Sequence, residues 1–442
     1  MILKQDILDY INNNYSDCLL NISLFKNTIK DDIIEIFDTL NAQKNQHQIL
    51  AEKYFIETTI NEYIDKINKY NIRRSKFLKL TKLKLPEQRS PEWFEMRRDK
   101  LTASSIGVAL GGNELANKSK LKLIYDKITN PPMISNIHTE WGTKYEEIAT
   151  LFYQMITNTR VIEFGMIPHP EFPIFGASPD GICDDTGPPE YIGRMLEIKC
   201  PTRRVFWDRN KKSDHMPHHY WMQMQGQLEV CDLDECDFLQ VKLEEYNTFI
   251  DYKNDILNLD EPLKYSYPNV ENYDKIIKGK TSENLPKGCT ISYLKEGEEK
   301  LSYLYPKLLL SDDQYLQWID DHIKLGYNIV ETKWWKITRY EIDLVKRDKS
   351  WWTDNIEKIL SYYNEFVYYR DNLKELEDKL FIPEFILCNS DDDNDDTESD
   401  PVVNEESVKK EKEKEKNKNK VKKIKKEIII EGNGLQEFAL CD

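Results

Sequence analysis

Apolar positions in the first 85 residues recur with a helical period: Ile7, Tyr10 and Ile11, then Ile33, Ile34, Ile36, Phe37 and Leu40, then Tyr54, Phe55, Thr59, Tyr63 and Ile67. The pattern predicts a helical extension over residues 1–85 that packs on the rest of the chain or on a partner, with Lys76 to Lys84 as its link. At Arg89 the pattern changes. Ser90-Pro91 opens a short helix, since proline at the first helical position forfeits no hydrogen bond, and Arg97 and Arg98 fall near its end. Thr102, Ser104 and Ser105 begin another. Thr139 to Asn158 is amphipathic, with Trp141, Tyr145, Ile148, Phe152 and Met155 as its stripe. Glu146 lies at the rim of that stripe, Glu147 nearly opposite it, and Gly142 one turn before Glu146 leaves room for a close approach.

Two apolar runs, Phe175 to Ser178 and Met195 to Cys200, flank a Gly/Pro/Asp-rich loop and predict a β-hairpin with a long connection. Strand alternation sends Met195, Glu197 and Lys199 to one face and Leu196, Ile198 and Cys200 to the other, so Glu197 and Lys199 project away from a buried apolar side. Asp180 ends the neighbouring strand beside Gly181, where the backbone can bend. Further on, a helix is expected over Pro217 to Cys231 and a strand over Cys236 to Tyr246. Residues 250–300 are polar and irregular. A strand over Leu301 to Leu310, a helix over Asp312 to Leu325, a strand over Lys333 to Arg347 and a long helix from Ser350 to Leu380 follow. A hairpin followed by alternating strands and helices predicts an α/β domain, a central mixed β-sheet flanked by helices, over residues 86–385, with an insertion around 250–335.

From residue 386 the chain is low in complexity: an acidic block, DDDNDDTESD, precedes a basic one, KKEKEKEKNKNKVKKIKK, and neither can bury enough apolar surface to fold alone. The acidic block supplies much of the net charge of −16, so that figure does not exclude nucleic acid as a partner. The start lacks the apolar core of a signal peptide, and no apolar run approaches the roughly 20 residues of a membrane span. A soluble intracellular protein is expected, and the scattered eight cysteines, without a C-x-x-C pair, read as reduced thiols.

The candidate chemistry centres on Asp180, Glu197 and Lys199. Two carboxylates suit a hard divalent cation such as Mg²⁺, and an adjacent lysine suits orienting and deprotonating an attacking water. A surface Glu–Lys pair is the plainer reading of E-x-K by itself; S-P-D-G followed by L-E-I-K-C-P favours the catalytic one. Glu146 is a candidate for a third carboxylate, against a rim glutamate in water. Arg97 near the Thr102/Ser104/Ser105 helix start offers a phosphate pocket, against ordinary capping. Tyr220, Gln223 and Gln227 share a helix edge suited to a phosphodiester backbone, and the basic, aromatic stretch TRRVFWDRNKKSDHMPHH could border a nucleic-acid channel. His215, His218 and His219 sit at a helix start and read as capping residues rather than metal ligands.

Five motifs in order, R-x-x-x-x-T-A-S (Arg97 to Ser104), W-G-x-x-Y-E (Trp141 to Glu146), S-P-D-G (Ser178 to Gly181), L-E-I-K-C-P (Leu196 to Pro201) and Y-x-x-Q-x-Q (Tyr220 to Gln225), resemble the YqaJ-type viral recombinase family, close to phage lambda exonuclease, within the PD-(D/E)xK nuclease superfamily. The resemblance spans roughly Arg89 to Leu243 and resumes at Tyr340 to Phe366. It implies a restriction-endonuclease-like core in which Asp180, Glu197 and the backbone carbonyl of Ile198 ligate Mg²⁺, with Mn²⁺ able to substitute. Lys199 would serve the water, and Glu146 would complete the site or support a second metal. Arg97, Ser104, Ser178 and Gln223 match a pocket for the 5′-phosphate of the digested strand, with Tyr220 beside it. The implied activity is 5′-to-3′ exonucleolytic digestion of double-stranded DNA ends, leaving a 3′ single strand for recombination, with a single-strand annealing protein as partner. A ring-shaped homotrimer is also implied; the N-terminal helices, the insertion after Tyr246 and the tail, which lack counterparts in the minimal phage enzyme, bear on that assembly. A viral origin would put the protein in host cytoplasm, a viral factory or the nucleus. The competing readings are a structure-specific endonuclease and a catalytically inactive DNA-end binding module.

Overall fold

A computed structural model describes residues 3–380 apart from 41–44, 112–119, 132–135, 203–215, 259, 261, 268–269 and 271–272. The helical period of the first residues is realised as α1 (Lys4–Tyr15), a tight turn of helix over Ser16–Phe25, α2 (Lys26–Leu40) and the long α3 (Gln46–Leu80). Asn45 and Gln48 cap α3 reciprocally: the Asn45 side chain accepts from the Gln48 amide and the Gln48 side chain from the Asn45 amide. Ile7, Ile11, Ile33 and Phe37 face the buried side of α3, and Thr59 and Ile67 of α3 are themselves buried, as the spacing predicts, but the phase at the start of α3 differs from expectation. Its inward face is Ile56, Ile60, Ile64 and Ile67, while Tyr54 is 74 % exposed. Three consecutive apolar residues, Tyr54, Phe55 and Ile56, leave the phase open in sequence; packing against the isoleucines of α1 and α2 chooses Ile56.

The last turns of α3 dock on the rest of the described chain. Phe77 and Leu80 enter a second core with Leu101, Phe164, Phe175 and Phe238. Arg73 pairs with Glu235 at 2.5 Å, Arg74 with Asp185 at 2.6 Å and Lys76 with Asp234 at 3.2 Å. Lys76 to Leu80 therefore belongs to the helix and its docking face rather than to a linker.

Next come α4 (Pro91–Arg98), β1 (Leu101–Thr102), α5 (Ile106–Ala109), α6 (Lys120–Thr129), α7 (Ile137–Thr157), β2 (Val161–Ile162), β3 (Ile167–Pro168), β4 (Phe175–Ala177), β5 (Gly181–Cys183), β6 (Met195–Lys199), α8 (His218–Val230) and β7 (Glu235–Glu245). They are followed by α9 (Phe249–Asn254), β8 (Lys287–Leu294), β9 (Leu301–Leu304), α10 (Asp312–Lys324), β10 (Asn328–Lys346), α11 (Lys349–Asp371) and α12 (Leu373–Leu380). Seven strands form a mixed sheet in the order β2-β5-β6-β7-β10-β8-β9, and β1-β4-β3 form a small second sheet. Within the large sheet β6 and β7 run parallel, joined through α8, and the other neighbours run antiparallel. One face packs on α8 and α11 through Met195, Phe238, Met222, Leu228 and Tyr362. The other packs on α7 through Leu196, Ile198, Tyr145, Ile148 and Phe152.

Several sequence expectations are corrected. The hairpin partner of β6 is β5, not Phe175–Ser178, which belongs to the small sheet. Gly181 serves a close approach rather than a bend: a Cβ there would lie 2.1 Å from the Val161 Cγ1 of β2. The β6 strand is interior to the sheet, so Glu197 and Lys199 do not project from an open face; Glu197 is 1 % exposed. Part of the stretch read as irregular forms β8, whose alternation is masked because both its faces are covered over Lys287–Ser292. The strand expected to run to Leu310 ends at Leu304, and the last helix divides at Asn372. His218 stacks on Trp221 at 5.4 Å, and α8 has no side-chain cap. The basic stretch 203–215 and the charged tail from 386 lie outside the described residues.

Candidate active site

Register brings the central residues together. Gly181 pairs with Leu196, so Asp180, just ahead of β5, meets the middle of β6, and its Oδ2 accepts the Ile198 amide at 2.7 Å. On the face toward α8, Glu197 is surrounded by donors. Gln223 Nε2 reaches Oε1 at 2.7 Å, Gln227 Nε2 reaches Oε2 at 2.8 Å, and the Lys199 ammonium pairs with Oε1. Gln223 and Gln227 share one helix edge, as their spacing predicts, but their amides are engaged by the carboxylate rather than left for a phosphodiester. Such charge-assisted bonds contribute about 1.5–3 kcal/mol each, which offsets the large cost of burying an ionised group. Gly226 lets α8 lie close to the small sheet, since a Cβ there would stand 3.0 Å from the Phe175 ring.

Glu146 arrives from α7. Its two oxygens accept from Arg89 Nη2 at 3.1 and 3.2 Å. A Cβ on Gly142, one turn earlier, would meet nothing, because that position opens on a groove of about 670 Å³ lined by His138, Thr143, Lys199, Thr202 and Tyr220. Tyr220 lies here rather than among the carboxylates, with its ring 5.1 Å from Lys199 Nζ.

A smaller cavity of about 200 Å³ is lined by Arg89, Trp93, Arg97, Ser104, Glu146, Ser178, Asp180, Glu197, Lys199 and Gln223, among others. The carboxylate end and the phosphate-pocket candidates thus share one space. Arg97 lies over the Trp93 ring at 4.2 Å, and Trp93 Nε1 donates to Ser178 Oγ at 3.1 Å. Among the described residues no carboxylate pairs with Arg97, and burial pushes its pKa down to about 10. Beside it Lys127 donates to the carbonyls of Lys100 at 2.6 Å and Arg97 at 3.4 Å. Burial first, then the Arg97 guanidinium, push Lys127 down to about 8, against a smaller upward pull from Asp99.

At the carboxylate end burial acts in the opposite direction. Burial, then Glu197 and Glu146, raise the Asp180 carboxyl well above its usual range, against Lys199 and the Ile198 amide. Burial likewise raises Glu146, and Arg89 and Lys199 pull it back. Burial alone would lower Lys199, but Glu197 and Asp180 more than reverse it, so the group is held as an ammonium that donates. Buried carboxylates crowded beside one another are a donor set that a hard divalent cation fits, because its charge would offset both the cost of burial and their mutual repulsion. Among the described residues no three carboxylate, histidine or cysteine groups close on a single point as they stand, with Glu146 engaged by Arg89.

Sequence reasoning missed Arg89, the role of Gln227 on Glu197, and Trp93 as a platform. Trp93 and Arg97 are spaced i, i+4 on α4, a signal that could have paired them. Nothing in the periodicity marks Arg89.

Among proteins of known sequence, an uncharacterized protein of Acanthamoeba polyphaga mimivirus is 32 % identical over 336 residues, covering 70 % of this chain. The chain spans 58 % of that relative's length. Among solved structures, an alkaline exonuclease from Laribacter hongkongensis aligns at 21 % identity and a TM-score of 0.37, over 66 % of this chain and 100 % of that one. A phage-related exonuclease from Haemophilus somnus aligns at 14 % identity and a TM-score of 0.30, over 63 % and 96 %. Residues 92–234, which carry Arg97, Glu146, Asp180, Glu197 and Lys199, match the family model of the YqaJ-like viral recombinase domain.

Proposed function

We propose that this chain is a metal-dependent exonuclease that digests double-stranded DNA from a 5′ end and leaves a 3′ single strand for recombination or genome processing. The observation that carries the reading is the shared cavity: Arg97, without a carboxylate partner among the described residues, and a cluster of carboxylates with a lysine line one space of about 200 Å³. A terminal phosphate on Arg97, Ser104 and Ser178 leaves little distance to Asp180 and Glu197, which suits cutting near an end rather than within a duplex. The match of residues 92–234 to the YqaJ-like viral recombinase domain supports DNA as the substrate class.

Asp180, Glu197 and the Ile198 carbonyl would hold Mg²⁺ or Mn²⁺, with Glu146 completing the set. Bound there, the metal would acidify a water and stabilise the charge that builds on the transferred phosphate. Gln223 and Gln227 hold the Glu197 carboxylate in place. Lys199, as an ammonium, orients the water and balances charge. Tyr220 and the groove beside it would take the adjoining part of the strand. The 3′ strand left behind is the form a single-strand annealing protein would bind. The test is purified chain on end-labelled linear duplex and on closed circular DNA, with and without Mg²⁺. Mg²⁺-dependent loss of nucleotides from linear 5′ ends with circles intact is expected; nicked circles would indicate an endonuclease, and no cleavage of either would leave only end binding.

A further inference from the structure

Arg89 sits where the third carboxylate would have to be free. Its backbone is left-handed, at φ +66°, a region disfavoured for a residue with a Cβ. That conformation is locked from both sides. Gln88 Nε2 donates to the carbonyls of Phe164 at 2.8 Å and Pro179 at 3.1 Å, the Ser90 amide donates to Glu87 O at 3.2 Å, and Ser90 Oγ accepts from the Trp93 amide at 3.1 Å. The side chain, by contrast, is 52 % exposed. A fixed base with a solvated arm can keep its position in the fold while its guanidinium moves.

Arg89 and Glu146 line two cavities together. One is the space shared with Asp180, Glu197 and Arg97; the other, of about 340 Å³, adds Glu163, Tyr305 and Lys307. Resting on the metal-site reading above, we propose that Arg89 is a positioning residue that reserves Glu146 in the metal-free protein and releases it to the cation. A guanidinium and a divalent cation on the same carboxylate repel at contact distance, so one displaces the other. Without Arg89 the metal-free protein would leave Glu146 with only Lys199 to offset the Asp180 and Glu197 carboxylates beside it. A displaced guanidinium has two receivers within the same walls: Glu163, whose carboxyl already feels Arg89, and a substrate phosphate entering the cavity.

The test is Mn²⁺ titration of the full metal-free chain, reading free Mn²⁺ by electron paramagnetic resonance without substrate. Arg89→Gly, which relaxes the left-handed backbone, and Arg89→Met, which keeps the stem, should both bind Mn²⁺ about threefold to tenfold tighter than wild type. Arg89→Lys should stay near wild type, and in a Glu146→Gln background the gain should vanish. Thermal melts identify a variant that has lost its fold, and the two variants fail independently. Unchanged or weaker Mn²⁺ affinity in both folded variants overturns the proposal, since a merely supporting arginine would give that result. If wild type binds no Mn²⁺ that Asp180→Asn removes, the metal-site reading itself falls, and this inference with it.

Discussion

The two ends of the shared cavity are built on opposite electrostatic plans. At the carboxylate end every charge has a partner: Glu197 has Lys199, Gln223 and Gln227, Asp180 has the Ile198 amide, and Glu146 has Arg89. At the other end Arg97 has an aromatic ring and Lys127 has backbone carbonyls, with no carboxylate on Arg97 among the described residues. Burial pushes the carboxylates up and the cations down, and like charges beside Asp180 and Lys127 add to it. Each end therefore asks for a ligand of the other sign, a cation at one and an anion at the other. A single cavity that does both is suited to holding a phosphate at a fixed distance from a metal.

The sharpest way to break the comparison is at the carboxylate end. Glu197→Gln and Asp180→Asn preserve volume and remove the charge a cation needs, so cleavage of end-labelled duplex in Mg²⁺ should fall by about a hundredfold or more while the fold persists. Turnover above a few per cent in either variant would remove the metal assignment.

At the other end the expected loss is smaller and selective. Charge-assisted bonds to a phosphate monoester are worth about 1.5–3 kcal/mol, so Arg97→Ala should slow digestion of 5′-phosphorylated duplex by about tenfold to a hundredfold. A 5′-hydroxyl end makes no such bonds and should be hardly affected. Initial rates on the two substrates decide it: equal slowing of both would make Arg97 a general support rather than an end reader.

The smallest effect is on stability and needs no substrate. Lys127 is pushed down to about 8 in the fold and would return to an ordinary value near 10.5 on unfolding. Between those values the unfolded chain binds the extra proton, so stability should rise with pH there and level off above 10.5; below 8 the full penalty of a buried ammonium remains. Lys127 is only partly buried, so about 1–2 kcal/mol is expected after screening. Denaturant melts across this range should show the rise in wild type and lose it in Lys127→Met. A rise that persists in the variant would assign it to other groups.

By itself the sequence determined what short-range physics can encode. The helix from Pro91, the amphipathic helix around Tyr145 and Phe152, the strand Met195–Lys199, and the order of carboxylates, lysine and arginine along the chain all follow from period, capping and motif spacing. Tertiary structure decided what depends on partners far apart in the chain. It made β5 the neighbour of β6 on one side and of β2 on the other, where Gly181 admits the Val161 side chain. It turned Gln223 and Gln227 onto Glu197, because an interior strand leaves a buried carboxylate that must be satisfied by whatever helix covers it. It set Arg89 on Glu146 across 57 residues, a pairing that no local pattern carries. Helical and strand periods report which side of an element is apolar; which distant charge ends up facing it is decided only when the layers close.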